Sequence, residues 1–137
     1  MTLSELYEVA DDEDVTVDAF ALTGTEALAV MEPGGRCFVA IDPMQLRSEI
    51  DEKEKLAHEL GHCVRGAFYN EYSPYDVRAR HEYRANAWAY RTLVPRDELW
   101  RISREIDATE TQVAEHFGVT VEFLRQAQYY YRERCRK

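Results

Sequence analysis

The segment EKEKLAHELGHCVRG, residues 52–66, limits what this chain can become more than any other stretch. Leu56, Leu60, Cys63, Val64 and Ala67 recur at helical spacing, which predicts an amphipathic helix with that stripe against a core. His58 and His62 fall on the other side, four residues apart, where side chains on a helix stack one above the other. Two imidazoles so placed can aim ring nitrogens at one ion about 2.0–2.1 Å away, which builds half of a tetrahedral site. Glu59 is turned about 100° around the axis and stands beside that ion, where a carboxylate can take a proton from water. With four histidines in the whole chain, a chance pair around a glutamate inside a helical segment is a poor explanation.

A catalytic zinc site has three protein ligands and an open position, so a third ligand belongs downstream. The arrangement in which a glycine and then a third histidine follow is excluded, because Arg65 and Phe68 occupy those places. The next helical stretch, RHEYRANAWAYRTLVP, puts Glu82, Ala85, Asn86, Ala89 and Leu93 on one face, with small alanines that let two helices approach closely. Glu82 is well placed as third ligand. His81, about 100° away on the same helix, is its competitor. Asn86, one turn beyond Glu82, can hydrogen-bond the outer ring nitrogen of a ligating histidine and so fix its tautomer.

The rest of the chain predicts an α+β fold. Residues 4–10 suit a short helix, and the run Asp11 to Asp14 a solvated turn. VTVDAFAL, ALAVM and RCFVAID are short β-prone runs, the last two joined by the turn sequence EPGG. They predict a small N-terminal antiparallel sheet of about three strands. From about Ser48 the pattern is helical, with breaks near Gly66 to Pro74, at Pro95 and around Gly118, giving about five helices. The reading is one domain over 1–137: a β-rich part (1–47), the zinc-site helices (48–95) and a helical tail (96–137).

Lysine and arginine number 17 against 26 aspartates and glutamates, a net charge of −9, which disfavours nucleic acid and anionic lipid as partners. No leader or membrane-spanning run is evident, so a cytoplasmic protein is the expectation. Cys37, Cys63 and Cys135 are odd in number, widely separated and without CxxC spacing, so free thiols are expected.

HELGH followed by Glu82, Ala85, Asn86, Trp88, Ala89, Leu93, Val94 and Pro95 resembles the ImmA/IrrE family of zinc metallopeptidases. The resemblance covers residues 50–95 closely. It implies a gluzincin-type site in a zincin-like core, with His58, His62 and Glu82 holding Zn2+ and Glu59 catalytic. It also implies a protein substrate, typically a helix-turn-helix repressor of a phage or mobile element. Tyr69, Tyr72, Tyr75 and His81 are available to stabilise the oxyanion, and RCFVAID is a candidate edge strand for substrate backbone.

The tail ATETQVAEHFGVTVEFLRQAQYYY has two helical segments about Gly118, with Thr109 and Gln112 forming a capping box. A DNA-reading version would use Arg125, Gln126 and Gln128 on bases and Arg132, Arg134, Arg136 and Lys137 on phosphates. The favoured version packs Val113, Phe117, Val119, Leu124 and Ala127 onto the rest of the protein, with Tyr129, Tyr130 and Tyr131 extending a sticky surface or entering the core. The alternative to a peptidase is a non-catalytic zinc-containing regulatory protein that binds a repressor or DNA through this tail.

Overall fold

Each break in the hydrophobic pattern becomes an element boundary in the structure, a computed structural model that describes residues 1–70, 72–105 and 107–135. The order is α1 (Leu3–Asp12), β1 (Thr16–Ala19), β2 (Ala27–Met31), β3 (Cys37–Ile41), α2 (Glu49–Arg65), α3 (Tyr75–Leu93), α4 (Arg96–Arg104), α5 (Glu110–Phe117) and α6 (Val121–Cys135). The class is α+β, as the pattern predicted. Ser48 caps α2 through its hydroxyl, and Gly66 ends that helix in the left-handed region at φ 60°, where a side chain would be strained. Thr109 and Gln112 form the expected capping box on α5.

The sheet has the order β1-β3-β2. β2 and β3 pair antiparallel across the EPGG turn, but β1 pairs parallel with β3, so the all-antiparallel expectation is corrected to a mixed sheet. The connection over residues 20–26 spans two strand spacings, about 10 Å, and leaves the slot between β1 and β2 that β3 fills. RCFVAID is therefore the central strand, paired on both sides, and cannot offer an edge. The free edge beside α2 belongs to β2.

Leu6, Val39, Leu56, Leu60, Leu93, Val94 and Leu124 are the largest fully buried side chains, and buried residues from α1 to α6 form one cluster. α2 packs against α1, the sheet and α3. Its predicted stripe holds at Leu56 and Leu60, but the opposite side is covered as well, and His62 is only 7% exposed. That second contact is tight: a Cβ built on Gly61 would lie 2.9 Å from Ala85 Cα. Lys53 is buried on α2 and donates to the Met1 and Phe117 carbonyls at 3.1 and 3.0 Å, tying the N-terminus to the end of α5.

The free-thiol expectation fails at two of its three positions. Cys37 at the start of β3 and Cys63 near the end of α2 form a disulfide, their Cα atoms 5.7 Å apart; Cys135 is free and exposed. Spacing along the chain could not reveal that a strand and a helix 26 residues apart lie side by side.

In the tail, Val113, Phe117, Val119, Leu124 and Ala127 are all buried. Tyr130 joins them, Tyr131 is half-buried and Tyr129 is exposed. Arg125 is held by both carboxylate oxygens of Glu110 at 2.5 and 2.9 Å; Arg136 and Lys137 lie outside the described residues. No described helix is long and apolar enough to cross a membrane.

Candidate metal centre

The helical spacing of α2 delivers His58 and His62 to one place, with their Nε2 atoms 3.2 Å apart. α3 crosses close by because Gly61 and Ala85 allow it, and this brings Glu82 in. Its Oε2 lies 3.0 Å from His58 Nε2 and its Oε1 3.4 Å from His62 Nε2. Among the described residues, His58, His62 and Glu82 form a group whose ligand atoms all lie within 4.8 Å of one another.

The outer ring nitrogens decide what these three groups can do. His58 Nδ1 donates to Asn86 Oδ1 at 2.7 Å, and His62 Nδ1 donates to the Ala67 carbonyl at 2.5 Å. Each neutral ring thus turns a lone pair inward, toward the other ring and toward a carboxylate. Three acceptors facing one another repel unless a metal cation or a ring proton sits among them. The edge of a tetrahedron with metal–ligand distances of 2.0–2.1 Å is about 3.3 Å, and the separations of 3.0, 3.2 and 3.4 Å fit it. The donor set of two imidazoles and one carboxylate suits zinc.

Protonation follows the same contacts. Where no ion is bound and the rings carry a proton on Nε2 instead of a lone pair, hydrogen bonds from His58 and His62 hold the Glu82 carboxyl far below the ordinary carboxylate range. Burial works to lower His62, but its bonds to Glu82 and the Ala67 carbonyl outweigh that and leave it raised. Tyr69 donates to Glu82 Oε1 at 2.6 Å, and that bond, with burial, pushes its hydroxyl up to about 12. Glu59 is raised by burial, although His58 and His62 pull the other way.

Glu59 lines the same pocket, of about 410 Å³, together with His58, His62, Glu82 and Tyr69. Residues 25–29, at and just before the free edge of β2, form its opposite wall. Ala29 of this edge strand and Glu59 of α2 face the same pocket.

Of the residues proposed from sequence, His58, Glu59, His62, Glu82, Asn86 and Tyr69 come together here. Tyr72 and Tyr75 are 86% and 81% exposed and do not line the pocket. His81 stacks on Tyr69, ring centroids 6.4 Å apart, and takes no part in the three-residue group. Sequence reasoning missed the Ala67 carbonyl, a backbone group whose only signal was the Gly66 turn that presents it. It also missed Lys55 and Glu26 on the pocket wall.

A protein-family model, Peptidase_M78, described as the IrrE N-terminal-like domain, matches residues 33–128. That range runs from the turn before β3 into α6 and includes every residue of the three-ligand group. No curated protein and no solved structure matches the chain.

Proposed function

The chain belongs to the IrrE N-terminal-like peptidase family, and from that premise we propose that it is a cytoplasmic, zinc-dependent endopeptidase whose substrate is a protein, a helix-turn-helix repressor. The observation that carries the catalytic reading is the convergence of three inward acceptors with a half-buried glutamate in one pocket. His58, His62 and Glu82 would hold the ion. Bound there, zinc would supply Lewis acidity, making water more acidic and the scissile carbonyl more electrophilic.

The protein's own groups do the rest. Glu59 takes the proton of the attacking water and passes it to the leaving amine, and its place in the same pocket as the three ligands, half-buried, suits a group that must do both. Asn86 and the Ala67 carbonyl keep both imidazoles in the ligating tautomer. Tyr69, the one tyrosine of the three sequence candidates that lines the pocket, is the donor for the oxyanion once its hydroxyl turns from Glu82. The free edge of β2 is the place for substrate backbone to add as an extended strand.

The test pairs a helix-turn-helix repressor from a neighbouring gene with wild-type protein and with Glu59→Gln. Wild type should cut it, and the variant should keep metal and fold while losing about three orders of magnitude in rate. Metal should vanish in Glu82→Ala and persist in His81→Ala. Equal cleavage by Glu59→Gln would reject the mechanism, whereas a stable repressor complex with no cleavage by wild type would favour a regulatory binding role.

A further inference from the structure

α4 and α6 leave between them a groove of about 870 Å³, which adjoins a second hollow of about 740 Å³ against the end of α3. The floor is apolar: Leu99 is buried, Tyr131 is pinned by its hydroxyl bond to the Val94 carbonyl at 2.7 Å, and Trp100 is 63% exposed. Among the described residues the walls carry Arg91, Arg96, Arg132 and Arg134, all exposed, against one acidic lining residue, Asp97. This is a positive strip on a chain whose net charge is −9. On α3, Arg91 lies about 13 Å along the helix axis from Glu82, so the groove is separate from the metal pocket.

We infer that this groove docks a short acidic segment of a partner protein that carries one large apolar side chain. The apolar side chain would lie against Trp100 and Tyr131, and its flanking carboxylates would meet guanidinium groups that can bind them bidentately. Charge complementarity favours a short segment over a nucleic acid. A duplex overhanging the strip would run onto the acidic remainder of the surface, whereas a segment that ends within the groove meets only its positive walls. Arg125, which a DNA-reading tail would need, is already held by Glu110. The inference does not depend on peptidase activity.

The test measures fluorescence anisotropy of a labelled synthetic peptide, a central leucine flanked by glutamates, on the full chain. Comparison probes are the same peptide with lysines for glutamates, one with glycine for the leucine, and a labelled DNA duplex. The acidic leucine peptide should bind and weaken as salt rises. Arg96→Glu and Arg132→Glu, both at exposed positions, should each weaken it about tenfold, with the circular dichroism spectrum unchanged. Trp100→Ala should erase the advantage of leucine over glycine. Absence of peptide binding, binding indifferent to the two charge reversals, tighter binding of the duplex at equal salt, or self-association that the same reversals abolish would each overturn the inference.

Discussion

His58 Nδ1 lies 2.7 Å from Asn86 Oδ1, a hydrogen bond between neighbouring helices that turns the opposite nitrogen, Nε2, toward Glu82. Only one tautomer of the ring satisfies that bond, so the asparagine on α3 chooses which nitrogen of the α2 histidine can ligate.

Asn86→Ala is therefore expected to weaken metal affinity about ten- to a hundredfold while leaving the fold intact. Competition with a chromophoric chelator measures it. Affinity equal to wild type would show that the tautomer is fixed by something else.

Helical periodicity is a local property, which is why so much of this centre was legible in the sequence. His58 and His62 needed only a four-residue spacing, and a shared face put Glu82 and Asn86 together, while the preference for Glu82 over His81 drew on the family resemblance as well. What escaped was non-local. The parallel pairing of β1 with β3, which makes β2 rather than RCFVAID the edge, depends on how a loop crosses the sheet. The Cys37–Cys63 bridge depends on where a strand meets a helix. The partner of His62 is a backbone carbonyl, and no residue type announces that.

The meeting of α2 and α3 rests on Gly61, whose missing side chain lets Ala85 approach. Gly61→Ala would press a methyl group against the backbone of α3, which cannot yield as a side-chain tip can. A loss of about 2–3 kcal/mol is expected from such overpacking, with a weaker metal site because Glu82 is pushed away from the histidines. Urea denaturation and metal content report the two effects. A variant as stable as wild type would mean that the helices stand further apart.

Cys63 follows His62 directly, and its bridge to Cys37 fastens the end of α2 that carries His58 and His62 to the sheet. Without reductant, denatured protein should show one titratable thiol, Cys135, and with reductant all three cysteines. Cys37→Ser should lower stability by about 3 kcal/mol under oxidising conditions and by much less under reducing ones. In a cytoplasm the pair would be kept largely reduced, so thiol counts on protein trapped in acid straight from cells decide which form operates there.

Asp42 is 5% exposed and accepts from the Leu22 and Met44 amides and from Gln45 Nε2, at 2.9, 3.0 and 2.8 Å. Gln45 also donates to the Leu22 and Thr25 carbonyls, so the pair shapes the loop that leads into the pocket wall. The Gln45 bond, with the two amides, holds the Asp42 carboxyl below its ordinary value. The unfolded chain then binds this proton more readily than the folded one. Stability from Asp42 is thus complete above about pH 4 and is lost as pH falls through the lowered folded value. Asp42→Asn should lower the urea midpoint at neutral pH and flatten the acid limb of the stability profile. Activity should drop with it, because Thr25 and Glu26 line the pocket. An acid limb identical to that of wild type would show that other carboxylates carry the acid sensitivity.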